Sequence, residues 1–186
     1  MSVHINQKGL TMNQHPDPED LQQALAAGRP VREHGPYRVQ IGDEKLTYRA
    51  AVIADPVPTG QQVLEAAGVH PVREYSVFQV LQGGQLEGLR LDETTDLRVR
   101  GVEKFLVFRS DRSFRLDVDG KVFEWGTGRI CGRVLKVLAQ VDSATYGVWQ
   151  EIVGKDDLAI GDEEFAELTP QGVERFFTGI VKTTEG

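Results

Sequence analysis

The residue with the most pointed chemistry is the glycine at 186, which ends the run Gly179-Ile180-Val181-Lys182-Thr183-Thr184-Glu185-Gly186. A glycine carboxylate has no side chain to obstruct a narrow channel, and its backbone reaches conformations closed to other residues. The residues before it, Val173-Glu174-Arg175-Phe176-Phe177-Thr178, alternate as a strand does, whereas residues 179–186 are small and polar enough to form an extended tail.

Other reactive residue types do not assemble into a site. Cys131 falls at a predicted helix start, a position where the helix dipole favours anions, but its counterpart in an internal repeat is Thr59, which argues for a capping or space-filling role. His4, His15, His34 and His70 share no metal-ligand spacing with the lone cysteine. Asp156-Asp157 and Asp162-Glu163-Glu164 lack the glycine and fixed spacing of a calcium loop and read as solvated loops; Gly83-Gly84 reads as a turn. With no nucleophile, base and orienting group recurring together, no catalytic residue, no metal site and no bound cofactor are expected, and the chain is not expected to be an enzyme.

The 186 residues, 40% of them hydrophobic, carry a net charge of -7, which suits one ordinary domain or two small ones and gives no electrostatic reason to expect a nucleic-acid or membrane partner. No apolar run approaches the ~20 residues that span a bilayer, and the N-terminus lacks a signal-peptide core. Together with the single cysteine, this predicts a cytoplasmic protein. Residues 1–36, broken by His15-Pro16-Asp17-Pro18, Gly28-Arg29-Pro30 and Gly35-Pro36, read as a mostly disordered leader. Within it Asp17 as N-cap, Pro18 at the first helical position and Gly28 as a stop outline one short, frayed helix whose apolar face is Leu21, Ala24 and Leu25.

From Tyr37 onward the chain repeats itself. Tyr37-Arg38-Val39-Gln40-Ile41-Gly42-Asp43 aligns with Phe114-Arg115-Leu116-Asp117-Val118-Asp119-Gly120, each a strand running through a turn into a second strand that ends in an aromatic, Tyr48 or Trp125. Thr59-Gly60 with Val63, Ala66 and Ala67, and Cys131-Gly132 with Leu135, Leu138 and Ala139, predict a helix in each copy; Thr59 and Gln62 make a capping-box pair and Gly68 a C-terminal stop. Tyr75 then matches Tyr146, Phe78 matches Trp149, and Gly101-Val102-Glu103-Lys104-Phe105 matches Gly172-Val173-Glu174-Arg175-Phe176. Tyr37, Phe114, Leu135, Tyr146, Trp149 and Phe176 are expected to pack inward. Each copy spans about 75 residues in the order ββαβ(β), so the fold class is α+β: two tandem β-grasp domains, each a mixed sheet covered by one helix, over residues 37–109 and 113–178, with 179–186 as tail. The linker, Arg109 to Ser113, is too short for more than limited hinge motion.

These features, the aromatic first strand, Thr/Cys-Gly at the helix start, the tyrosine after the helix and the closing Gly-Val-Glu-(Lys/Arg)-Phe, resemble the bacterial multiubiquitin family over Tyr37 to Gly186. The resemblance implies a protein modifier joined by isopeptide bonds, with an E1-like activating enzyme, an E2-like conjugating enzyme, a JAB-type zinc deconjugating protease and target-protein lysines as partners, in some cases in antiviral defence against phage. ATP is then consumed by the activating enzyme, Gly186 is the conjugated residue, and Ile180, Val181, Lys182, Thr183, Thr184 and Glu185 form the recognised tail. Ubiquitin ends on two glycines; Glu185 here calls for a dedicated activating enzyme. Val148 and Ile152, with Ile180 and Val181, are the candidate partner patch on the open sheet face. A non-covalent tandem adaptor and, less favoured by the fused tandem, a sulfur carrier bearing a Gly186 thiocarboxylate remain as alternatives.

Overall fold

The computed structural model of the protein describes residues 16–181, apart from 82 and 100. It contains two copies of one α+β unit. In the first, strand β2 (Tyr37–Gly42) pairs antiparallel with β3 (Tyr48–Ile53). Helix α2 (Gly60–Ala66) crosses the sheet, β4 (Ser76–Val80) and β5 (Leu86–Leu89) form a hairpin, and β6 (Lys104–Phe108) inserts between β2, to which it is parallel, and β4. The second copy repeats this with β7 (Phe114–Val118), β8 (Lys121–Trp125), α3 (Gly132–Ala139), β10 (Tyr146–Gln150), β11 (Leu158–Ile160) and β13 (Val173–Ile180), in the sheet order β11-β10-β13-β7-β8. Two short strands, β9 (Arg129–Cys131) and β12 (Phe165–Glu167), pair beside α3; the first copy keeps only the matching bridge, Thr59 to Thr94.

Helices α2 and α3 start where the sequence predicts. Thr59 Oγ1 accepts from Gln62 N (3.2 Å) while Gln62 Oε1 accepts from Thr59 N (2.7 Å), and Gly68 closes the helix at φ +69°. Glycine opens both helices because the helix start lies against another loop's backbone: a Cβ at Gly60 would stand 2.3 Å from the Arg90 carbonyl oxygen, and one at Gly132 would stand 2.5 Å from that of Gly161. Cys131 is the N-cap residue of α3 but its side chain makes no capping bond and is buried, so it fills space.

Alternation decides the two faces of each sheet. Tyr37, Val39, Ile41, Phe105 and Val77 of the first sheet meet Val63 and Leu64 of α2; Phe114, Leu116, Val118, Phe123, Trp125, Val148 and Phe176 of the second meet Leu135 and Leu138 of α3. Burying these side chains contributes ~1.5–3 kcal/mol each, enough to bring every expected strand into register.

Several expectations are corrected. Tyr48 opens β3 opposite Gly42, so the second strand of the first copy starts on its aromatic and ends on Ile53. Trp149 does not pack inward: its neighbour Val148 takes the inward position, and Trp149 lies on the opposite, open face. Strand β13 continues through Gly179 and Ile180 because Gly147 and Tyr146 of β10 supply partners, and Val181 N still donates to Thr145 O (2.9 Å), so the sheet reaches into the expected tail.

Within the expected leader, residues 19–26 form a strand and a helix. Glu19–Asp20 form a short strand, β1, parallel to Tyr37–Arg38 of β2. Asp20, not Asp17, caps helix α1 (Leu21–Ala26), accepting from Gln23 N at 3.0 Å, because the pairing of Glu19 and Asp20 with β2 keeps both extended and lets the helix begin only at Leu21. In the second copy Val173–Glu174 of β13 pair with Arg115–Leu116 of β7; in the first, β1 takes that place on β2, and β6 begins only at Lys104. Leu21 and Ala24 are buried against the first core, and the buried Glu19 carboxylate is gripped by Arg29 and Arg32.

Candidate functional site

Strand β13 is the element that positions the C-terminal residues. It runs down the middle of the second sheet, parallel to β7 and antiparallel to β10, and its backbone is held on both edges. Ile180, 70% exposed, and Val181, half exposed, are where the chain leaves the sheet. Lys182, Thr183, Thr184, Glu185 and Gly186 lie outside the described residues.

Of the two candidate patch residues, the structure removes one. Val148 is buried in the core beneath α3 because it sits opposite Thr178 and Ile160 on the inward parity, so it cannot be a partner contact. Ile152 lies half-buried in the turn after β10, off the sheet. The apolar centre of the open face is Trp149, which residue type alone assigned to the core, together with Phe177. Trp149 and Phe177 face each other across β10 and β13 with rings stacked at 5.7 Å and 14°. The indole lies over two glycines: a Cβ at Gly147 would stand 2.6 Å from it, so the ring could not keep its place, and one at Gly179 would stand 3.2 Å from it, a tight contact. The same Gly147 position stands 2.8 Å from the Val181 side chain, which joins the aromatic pair to the root of the tail. The sequence signal for this face was the Gly-x-Trp spacing read with strand parity.

The corresponding face of the first copy is occupied. Phe78 and Leu106 face each other across β4 and β6 in the same way, yet both are buried, with Phe108, in one cluster with Trp125, Val134 and Leu135 of the second copy. Phe108 packs edge-on against Phe78 (5.6 Å) and Trp125 (4.9 Å), and its ring fills the place where a Cβ on Gly126 would be. Around this apolar contact Arg129 pairs with Glu44 and stacks over Phe165 at 4.7 Å, Lys45 pairs with Glu163 at 2.9 Å, and Gln140 Nε2 donates to Gly83 O at 3.1 Å. The hydrogen bond and charge of Glu163 raise the Lys45 ammonium above its ordinary pKa, and Lys45 in turn lowers Glu163.

The Multiubiquitin family profile matches residues 45–110 and again 114–179, more than two thirds of the chain. The chain belongs to the multiubiquitin family. No curated protein matches it. The second match begins at the first residue of β7, whereas the first begins after β2 has ended, although β2 holds the same place in its sheet. The two multiubiquitin repeats are therefore alike in fold and unlike at their entry, where β1 and α1 are added to the first. Among the described residues, no group of three or more His, Cys, Asp or Glu could hold a metal ion, and no helix is long and apolar enough to cross a membrane.

Proposed function

We propose that this tandem is a ubiquitin-like protein modifier conjugated through Gly186. An E1-like enzyme adenylates the Gly186 carboxylate, releasing pyrophosphate from ATP; an enzyme cysteine thiolate displaces AMP to give a thioester. After transfer to an E2-like enzyme, a target lysine amine displaces the thiol and leaves an isopeptide bond, which a JAB-type zinc protease hydrolyses. The proteins modified are cytoplasmic, in the setting of antiphage defence. The observation that carries the reading is the course of β13: held at the centre of the second sheet, it leaves it at Val181, five residues before Gly186. The last strand of the first repeat leads straight into Arg109 to Ser113 and the next repeat, which favours activation of the tandem as one unit.

The non-covalent adaptor reading is the weaker, since a two-module adaptor calls for two readable faces and the first repeat has its aromatic position buried. The test is intact mass after incubation with ATP and a cognate E1-like enzyme, for the chain ending at Gly186 and for one lacking that residue. A thioester or lysine adduct confined to the chain with Gly186 is the expected result. Absence of adduct in both, with an enzyme that releases pyrophosphate on another substrate, would transfer the assignment to the adaptor.

A further inference from the structure

A cleft of about 640 Å³ opens between the two repeats, within the size range of clefts that hold ligands. Leu46 and Val80 of the first repeat and Val134 and Val137 of α3 give it apolar walls. Lys45, Lys104 and Arg133 line it as cations, against the one carboxylate of Glu103. Lys45 and Arg133 both stand near Glu163, at 2.9 and 3.4 Å. Lys104 has no carboxylate partner among the described residues, and its ammonium lies 5.7 Å from the centre of the Tyr48 ring. Two buried polar atoms of the lining residues, Glu103 Oε2 and Arg133 Nε, make no hydrogen bond among the described residues. Such a pair is met by a ligand that brings both a donor and an acceptor, as a peptide backbone does.

The rim of this cleft is also the root of the tail. Ser143 lines the cleft, and Thr145, two residues on, accepts from Val181 N at 2.9 Å. The loop that carries both is pinned at two points: Lys136 Nζ donates to Ser143 O at 3.0 Å, and Gln140 Nε2 donates across the junction to Gly83 O at 3.1 Å. Residues 182–186, outside the described residues, start from this rim with a reach of at most about 18 Å.

We infer that the cleft is a binding site for the chain's own C-terminal peptide, Lys182-Thr183-Thr184-Glu185-Gly186, taken up in cis. Glu185 and the Gly186 carboxylate outweigh Lys182, so the peptide brings the negative charge that suits a cleft with three cations and one carboxylate. That charge rests on the free carboxylate of the modifier reading above. Peptide N–H and C=O groups supply the partners that Glu103 and Arg133 lack. The reactive end is then sheltered until an activating enzyme draws it out, and the apparent affinity of that enzyme falls with the undocked fraction. The first repeat gains a role in the tandem, since it builds one wall of a site that a lone second repeat does not have.

The test is release of Gly186 from the full chain by a broad-specificity carboxypeptidase, followed by intact mass, with the synthetic heptapeptide Ile180–Gly186 as the undocked reference. A tail docked about nine-tenths of the time should lose Gly186 about tenfold more slowly than the peptide. Lys104→Glu and Val137→Asp should each release it several-fold faster than the wild type, and so should salt at about 1 M, which screens charges beyond about 3 Å. Lys155→Glu, in the turn past the far end of β10, should behave as the wild type. Thermal melts establish that each variant is folded. Wild-type release at the peptide's rate, or one rate shared by the wild type and both cleft variants, overturns the inference. Protection that rises with protein concentration would seat a neighbouring copy's tail in the cleft and overturns it too. No activating enzyme takes part, so a chain protected here yet never adenylated removes the modifier reading alone.

Discussion

Replacing Phe108 by alanine tests whether the tandem is one cooperative body. The ring is buried at the boundary, edge-on to Phe78 at 5.6 Å and to Trp125 at 4.9 Å, and it occupies the space above Gly126. Truncating a buried phenylalanine costs about 3–5 kcal/mol, of which each edge-to-face contact accounts for roughly 0.5–1.5. The surrounding rim cannot make up that loss: Arg129–Glu44 and Lys45–Glu163 are partly or largely exposed, and water and salt screen such pairs until they contribute little. The apolar contact therefore dominates the coupling. Scanning calorimetry of the full chain should show one transition for the wild type. Phe108→Ala should lower it by roughly 6–20 °C, a 150–250-residue protein losing about 2–4 °C per kcal/mol, and separate the two repeats into distinguishable transitions. Glu44→Gln should shift it by less than a few degrees. Two transitions already present in the wild type, or a larger loss from Glu44→Gln than from Phe108→Ala, would refute the reasoning.

The clasp at the N-terminus predicts an acid-sensitive first repeat. Burial pushes the Glu19 carboxyl upward, but the hydrogen bonds and charges of Arg29 and Arg32 outweigh it and hold the group below its ordinary value of 4.5. A carboxyl lowered in the folded state stabilises it fully above that value and loses its contribution as pH falls through the lower, folded one, so stability from this source should be flat from pH 7 to 5 and decline below about 4.5. Glu19→Gln should cost about 1–3 kcal/mol at pH 7, as charge-assisted hydrogen bonds are lost while both arginines keep access to water, and the gap between its melting temperature and that of the wild type should narrow as pH falls below about 4.5. A constant difference between the two from pH 7 to 3 would sink the assignment. Cys131, fully buried at the start of α3, should react with an aromatic disulfide reagent only as the second repeat unfolds, roughly 100-fold or more slower in buffer than in denaturant; rapid native labelling would show that the thiol is accessible.

What the sequence made legible was whatever depends on local periodicity. The strand starting at Tyr37 and its partner starting at Phe114, the capping box at Thr59 and Gln62, and the glycines at 60 and 132 each declare themselves within a few residues, and the repeat reinforced the strands and the glycines. Parity was harder. Val148 and Trp149 are adjacent apolar residues in one strand, and only the pairing of Val148 with Ile160 and Thr178 shows which of them points at the helix. The N-terminal segment was illegible for another reason: Leu21 and Ala24 are too few to hold a helix alone, and what holds it is a strand pairing and an ion cluster formed with residues up to 18 positions away.

The division of labour between the two repeats lies in side chains that repeat alignment treats as incidental. At the helix, Val134 and Val137 of the second repeat stand where the first has Gln62 and Glu65, and at the bridge Phe165 stands where the first has Thr94. The second repeat thus offers an apolar helix side to the open face of the first, while the first offers only a polar one. A head-to-tail contact between like units propagates into a filament unless one end is altered, since nothing in the geometry closes it. Gln62 and Glu65 are such an alteration: they deny the first repeat the apolar helix side that Val134 and Val137 give the second, while the Trp149 and Phe177 pair of the second repeat stays partly exposed.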